Sequence, residues 1–162
     1  MLYSKSSKID SKTIYISNSL ISNTSELKDL GIIFQSNLKF DKHIESILFT
    51  AKKKLNFLKF TCKHFKNINL LISMYNCIVK SILMYRSVLW NPNKKGVIEA
   101  LEKIQHFFLR FLSYKTKIPM NYSDHDDPIM KLTNIKSLEN SRAINDLKFL
   151  FKLNNHHIIS PD

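Results

Sequence analysis

The fold of this chain is decided by the stretch of residues 41–62, which reads DKHIESILFTAKKKLNFLKFTC. Its apolar residues recur at steps of three and four, so at about 3.6 residues per turn they form one stripe about 100° wide. The stripe consists of Ile44, Ile47, Leu48, Ala51, Leu55, Leu58 and Cys62. We predict an amphipathic helix that has Asp41 as its N-cap and buries this stripe in the core.

Lysines run beside the stripe, and phenylalanines lie nearly opposite it. The line of lysines consists of Lys52, Lys59, Lys63 and, if the helix reaches so far, Lys66. The opposite side carries Phe49, Phe57 and Phe60, where a surface helix is ordinarily polar. We interpret the lysines as a basic ridge or, equally well, as an ordinary solvated face. For the phenylalanines we favour packing over base stacking, so this helix is expected to be contacted on two sides.

The rest of the chain predicts more helix and little sheet. Short β-branched and aromatic runs at residues 13–16, 20–21 and 30–34 predict an N-terminal antiparallel β unit. Apolar periodicity predicts a central helix over about residues 69–89 and a third helix over about 97–112. Pro128 suits the first turn of a short helix, and Ser137 could cap a last helix. The central helix is predicted to bury Leu71, Met74, Tyr75, Ile78, Ile82, Tyr85 and Leu89, and the last helix contributes Ile144, Leu147, Leu150 and Phe151. The predicted fold is mainly α, a bundle of four to five helices with a small N-terminal antiparallel β unit.

Composition favours an anionic partner. The formal net charge is +12, and residues 1–95 hold a surplus of 11 positive charges while the remainder holds a surplus of 1. Such an excess favours nucleic acid or an acidic membrane. No apolar run approaches the ~20 residues that span a bilayer, and the start of the chain lacks the apolar core of a signal peptide. We therefore expect an intracellular protein of the nucleus or cytoplasm, not secreted and with no membrane partner. Cys62 and Cys77 have no zinc-ligand spacing, and we interpret them as reduced, buried thiols.

Three groups of residues, taken in order, carry a resemblance to a known family. The first is Lys28-Asp29-Leu30-Gly31. The second joins Ser81-Ile82-Leu83 to Tyr85, Ser87, Trp90 and Pro92. The third joins Ile104-Gln105 and Phe108-Leu109-Arg110 to Ser137-Leu138-Glu139 and residues 149–153. From about Tyr15 to the end, the chain resembles the region just downstream of the polymerase core in reverse transcriptases of LINE-type, jockey-like non-LTR retrotransposons.

The resemblance implies a division into three parts. Residues 1–38 would be a β remnant of the end of the palm, residues 39–113 a basic thumb-like helical domain, and residues 114–162 a C-terminal helical extension. The thumb-like helix of such enzymes follows the primer-template duplex. Trp90 and Tyr85 are expected to be core anchors at the end of the central helix.

Catalytic residues are not expected in this chain. Polymerase chemistry needs clustered carboxylates that hold two Mg²⁺ ions, and the resembling enzymes supply them from a Tyr-x-Asp-Asp hairpin of the palm. Here the only Asp pair is Asp126-Asp127, in a polar stretch without flanking apolar strands, and we predict a solvated loop there. His156-His157 is interpreted as a pair of surface residues. We therefore predict no enzyme activity, no metal site and no cofactor for this chain, with Mg²⁺ required only by the missing palm.

The predicted function is contact between a reverse-transcriptase fragment and primer-template nucleic acid through backbone charge. The predicted nucleic-acid-binding residues are Lys52, Lys53, Lys59, Lys63, Lys66 and Arg110. Arg110 suits either a phosphate contact or a charge that favours a helix C-terminus. Two alternatives remain: a standalone basic helical module that binds RNA or DNA, and a structural or interaction remnant. The remnant would self-associate through Phe49, Phe57 and Phe60 if these side chains are exposed.

Overall fold

The computed structural model describes residues 24–120 and 128–155, together with the backbone of residues 15–16 and 19–20. The strands are β1 (Tyr15–Ile16), β2 (Ser19–Leu20), β3 (Glu26–Asp29) and β4 (Ile32–Gln35). The helices are α1 (Asp41–Thr61), α2 (Ile68–Tyr75), α3 (Ser81–Met84), α4 (Ser87–Trp90), α5 (Lys95–Thr116), α6 (Pro128–Thr133) and α7 (Leu138–Asn154). The predicted fold class, mainly α with a small N-terminal antiparallel β unit, is confirmed.

Most of the described residues are in helices, and the strands are short. A π-helical turn, Asn76–Lys80, joins α2 to α3, and the backbone stays helical through Tyr75 and Lys80. The described residues therefore contain six helices, because α2, the π turn and α3 are continuous. The chain divides into two compact units, Met1–Ser46 and Ile47–Asp162. The three-part division into residues 1–38, 39–113 and 114–162 stays a prediction.

The first unit contains two antiparallel strand pairs, β1 with β2 and β3 with β4. In the second pair Asp29 lies opposite Ile32, so Leu30 and Gly31 form a two-residue turn. Both turn residues have positive φ, 47° and 84°, as a type I′ hairpin turn requires. The strand predicted over residues 30–34 is therefore wrong in its first two residues, because glycine favours the left-handed turn there.

The start of α1 also differs from its prediction. Asp41 is the first helical residue rather than the cap, and Phe40 before it has a positive φ of 56°. The side chain of Gln35 accepts a hydrogen bond from the backbone N–H of Lys42 at 3.1 Å, which satisfies one of the free donors of the first turn. Lys42 also forms an ion pair with Glu26 of β3.

Helix α1 buries most of its predicted apolar stripe, whereas Ile47 and Leu48 are half-buried. Ala51, Leu55 and Leu58 are buried, and Cys62 follows them into the core just past the end of the helix. Cys77, by contrast, is exposed, so the prediction of a buried thiol is wrong at that position.

The π turn changes which side of the central helix faces the core. A π turn holds one extra residue, so the residues after it are rotated relative to an uninterrupted α-helix. Leu71 and Tyr75 before the turn are buried as predicted, whereas Val79 and Leu83 replace Ile78 and Ile82 as the fully buried residues after it.

The predicted central helix also ends early. Arg86 adopts the left-handed conformation with φ 48°, and α4 begins at the next residue. Trp90 is buried as predicted, and its indole Nε1 donates a hydrogen bond to the backbone carbonyl of Tyr85 at 2.9 Å. The side chain of Tyr85 is half-exposed, so the prediction that it anchors the core is wrong.

A buried polar chain ties α2 to α5 and to the segment before α7. The rings of Tyr75 and Phe108 stack at 4.1 Å and 5°. The Tyr75 hydroxyl donates to Oε1 of Gln105 at 3.3 Å, and the Gln105 amide donates to the carbonyl oxygen of Lys136 at 3.1 Å. Burial raises the pKa of the Tyr75 hydroxyl, with Glu102 adding to the rise, so this group remains a donor at neutral pH.

The last two helices begin as predicted. Pro128 is the first residue of α6, and the hydroxyl of Ser137 caps α7 by accepting from the backbone N–H of Asn140 at 3.2 Å. The residues at 121–127 and 156–162 lie outside the described residues, so the predictions for Asp126-Asp127 and for His156-His157 are not addressed by the structure.

Candidate nucleic-acid interface

Three of the predicted binding lysines lie on α1. Lys52 and Lys53 are exposed and Lys59 is half-buried. At about 100° per residue, Lys52 and Lys59 point about 20° apart along one edge of the buried stripe. Lys53 points about 100° further round, onto the side of the helix opposite Leu55. The predicted ridge on α1 therefore comprises Lys52 and Lys59, and Lys53 belongs to the outer face.

Lys63 and Lys66 lie beyond the helix, because α1 ends at Thr61. They belong to the connection between α1 and α2, and both are exposed. The ammonium group of Lys115 on α5 fixes this connection by donating to the carbonyl oxygens of Lys63 at 2.8 Å and Phe65 at 2.7 Å. It therefore places a further positive charge beside the predicted lysines.

Sequence reasoning missed Lys115. It lies in the last turn of α5, where a cation is expected for the helix dipole alone. Its ammonium group is also 5.1 Å from the centre of the Phe111 ring. Its contact with a connection 50 residues earlier in the chain depends on how two helices pack, which no local pattern encodes.

The structure does not group Arg110 with Lys115. Both lie on α5, but five residues apart they point about 140° away from each other. Arg110 is exposed, and its guanidinium carbon is 5.7 Å from the centre of the Phe107 ring. It lies six residues before the end of α5, so the alternative interpretation as a C-terminal helix charge is wrong.

The lysines lie in a long stretch of sequence without acidic residues. No Asp or Glu occurs between Glu45 and Glu99, and ten Lys and Arg residues occur in that interval. In the described part of the chain no ion pair involves Lys52, Lys53, Lys59, Lys63 or Lys66. Their charge is therefore not neutralised by the neighbouring chain, which is the arrangement that favours an anionic ligand.

The phenylalanines of α1 are exposed. Phe49, Phe57 and Phe60 are 72%, 61% and 83% accessible to solvent. The expectation that this side packs against another element is therefore not met within the described residues. A solvent-exposed aromatic face of this kind is typical of a binding surface.

The described residues contain neither a metal-binding cluster nor a membrane-spanning helix. In residues 24–120 and 128–155, no cluster of three or more His, Cys, Asp or Glu side chains is arranged to hold a metal ion. None of the helices described has both the length and the apolar character that crossing a bilayer requires.

The chain is similar to an uncharacterized protein of Caenorhabditis elegans. The two are 29% identical over 137 residues, which is 85% of this chain and 65% of the nematode protein. The matched region thus spans somewhat less than two thirds of that relative. No family model matches the sequence, and no solved structure matches it.

Proposed function

We propose that this chain binds nucleic acid through the phosphate backbone, in the manner of the region that follows the polymerase core in LINE-type reverse transcriptases. The supporting observation is the acid-free interval between Glu45 and Glu99, in which five exposed or half-buried lysines form no ion pair with a described residue: Lys52, Lys53, Lys59, Lys63 and Lys66. Lysine ammonium groups displace counterions from phosphates, which gives affinity without sequence readout. Primer-template duplex and element RNA are the ligands that the resemblance favours, in the nucleus or the cytoplasm.

The binding residues in this proposal are the lysines of α1 and of the connection that follows it. They are Lys52, Lys53, Lys59, Lys63 and Lys66, with Lys115 as the residue that fixes the connection. Arg110 lies on the outer side of α5 and makes an independent contribution. Polymerisation is not part of the proposal, since the sequence contains no Tyr-x-Asp-Asp hairpin.

The test is a pair of charge-matched variants. Lys59→Gln/Lys63→Gln removes two proposed contacts, whereas Lys148→Gln/Lys152→Gln removes two exposed lysines of α7. Binding of a fluorescein-labelled 20-nucleotide RNA is followed by anisotropy between 50 and 200 mM salt. We expect the first variant to reduce the slope of log K against log salt by about 1.4, because each contact to a single strand contributes about 0.7.

The control variant separates a site from general attraction. Lys148→Gln/Lys152→Gln lowers the net charge equally but should leave the slope close to that of the unmodified protein. Equal reductions in the two variants would mean that the RNA responds to net charge alone, which would contradict a site on α1.

A further inference from the structure

The outer face of α1 combines rings and a cation. Phe49, Lys53 and Phe57 are spaced four residues apart, so they follow one another along the same side of the helix. Phe60 lies on the same side, and Phe49 and Phe60 are about 16 Å apart along the axis. All three rings are more than half exposed, and Lys53 is exposed between them.

This composition fits a ligand that offers both flat apolar surfaces and negative charge. A purely apolar partner would have to desolvate the Lys53 ammonium group without compensation. A second copy of the chain would bring Lys53 and its neighbours Lys52 and Lys54 against an identical set of charges, with no acidic residue on α1 after Glu45 to offset them. Like charges at such a contact are unfavourable.

We propose that Phe49, Lys53, Phe57 and Phe60 form a platform on which the unpaired bases of single-stranded nucleic acid stack. The proposal rests on the proposed function and adds a substrate class to it. Aromatic side chains stack on base faces with little dependence on sequence, while lysines follow the backbone. In a duplex the base faces are covered by neighbouring pairs, so the platform selects single strands.

The structure separates the platform from the lysine ridge. Lys52 and Lys59 point about 60° to 100° away from Phe49 and Phe60 around the helix axis, on the edge of the buried stripe. Changes to the rings therefore leave these lysines in place. The ridge serves any nucleic acid, and the platform serves only a strand with exposed bases.

The experiment compares two ligands on the full chain. The triple variant Phe49→Leu/Phe57→Leu/Phe60→Leu keeps apolar side chains on the helix and removes the rings. Anisotropy is measured with a labelled 20-nucleotide oligo(dT) and with a labelled 20-base-pair duplex at the same salt. We expect single-strand affinity to fall about tenfold or more, since each stacked base contributes severalfold or more to binding. Duplex affinity should stay within about twofold.

A matched control uses another exposed aromatic residue. Tyr114 on α5 is 87% exposed, so Tyr114→Leu tests whether any surface ring has the same effect. Its single-strand affinity should equal that of the unmodified protein. Circular dichroism of each variant verifies the helix content, and the single substitution Phe57→Leu gives a smaller loss in the same direction if the triple variant does not fold.

Several outcomes would overturn the platform, and they differ from failure of the proposed function. Unchanged single-strand binding, or equal losses for strand and duplex, overturns the platform while the effect of Lys59→Gln/Lys63→Gln upholds backbone binding. A further contrary result is a triple variant that loses self-association, as measured by sedimentation velocity, while it keeps its single-strand affinity. That result would assign the rings to a protein contact and would also overturn the platform. If the unmodified protein binds neither ligand, the proposed function is wrong and the platform is wrong with it.

Discussion

Helices α1 and α7 both carry an apolar stripe, but the stripe of α1 is buried and that of α7 is exposed to solvent. In α1 the stripe containing Leu55 is buried and the outer side carries lysine and phenylalanine. In α7 the residues that the pattern groups together are exposed, including Leu147 at 66% and Phe151 at 66%, whereas Arg142 is buried. The spacing of apolar residues therefore locates an apolar stripe on a helix, but it does not determine which side of the helix packs against the core.

Polar contacts hold α7 in this orientation. The carboxylate of Glu102 on α5 accepts the backbone N–H of Glu139 at 2.8 Å, in the first turn of α7. The side-chain amide of Asn91 donates to Asp146 at 2.6 Å. These contacts set the side of α7 that faces α4 and α5, and they bring Arg142 inward with them.

In this orientation of α7 the guanidinium group of Arg142 is buried, which is unfavourable. All three of its guanidinium nitrogens are buried, and within the described chain none has a hydrogen-bond partner. Burial lowers the pKa of the guanidinium, and the carboxylates of Glu102, Glu139 and Asp146 raise it in opposition. An arginine nevertheless stays charged near neutral pH. Helix α7 therefore buries a charged side chain, whereas the apolar stripe of α1 contains none.

The largest expected effect comes from the same truncation on each helix. Leu55→Ala should lower the free energy of unfolding by about 2–5 kcal/mol, because it leaves a cavity in the core. Leu147→Ala should change it by no more than about 0.5 kcal/mol, because the side chain is exposed. Urea unfolding followed by circular dichroism measures both. A large loss for Leu147→Ala would mean that the apolar side of α7 is the buried one, and the comparison would fail.

The next effect is expected at the buried charge. Arg142→Met keeps a long side chain and removes a buried guanidinium whose three nitrogens have no hydrogen-bond partner among the described residues, so it should raise the free energy of unfolding by about 1–3 kcal/mol. Lys148→Met, on the exposed part of α7, serves as the control and should be near neutral. If Arg142→Met instead costs several kcal/mol, the guanidinium is paired with the nearby carboxylates in solution.

The smallest effect concerns an ionisable group at the start of α1. His43 is buried, and its Nδ1 accepts the backbone N–H of Ile33 at 3.4 Å. Burial lowers its pKa below the usual 6.5, so the unfolded chain takes up the proton first as the pH falls. The contribution of neutral His43 to the free energy of unfolding is therefore fully present above about pH 6.5. Below that pH it declines by at most about 1.4 kcal/mol per pH unit, until the pH falls below the lower pKa of His43 in the folded state.

Urea unfolding at several pH values between 7.5 and 5 tests this dependence. His43→Gln should flatten the decline, whereas the same change at the exposed His64 should not. An unchanged decline in His43→Gln would remove His43 as its cause. His43 is neutral when it loses its proton, whereas Arg142 stays charged. Burial of a charge is therefore a cost for α7 at neutral pH but not for α1.

The sequence predicted the parts of the fold that depend on local chemistry. The buried stripe of α1, Pro128 at the start of α6 and the Ser137 cap of α7 each follow from a few neighbouring residues. The features that escaped prediction depend on packing between distant segments or on a change of helical phase. These are the π turn after Tyr75, the outward stripe of α7, and the contact of Lys115 with the connection after α1.

The candidate interface divides in the same way. The lysine and phenylalanine positions on α1 could be read from the helical period, and the structure keeps them on the sides predicted. The end of α1 at Thr61 could not, because Cys62 continues the apolar pattern past the last helical residue. That single difference moves Lys63 and Lys66 from the predicted ridge to the connection.

The central claim is that unneutralised lysines bind the nucleic-acid backbone, and its most direct test is the salt dependence of the unmodified protein. Affinity for a labelled 20-nucleotide RNA is measured by anisotropy from 50 to 200 mM salt. With five lysines in contact, log K should fall linearly with log salt, with a slope of about −3.5. A slope near zero would contradict the claim, because it would show that phosphates are not being neutralised.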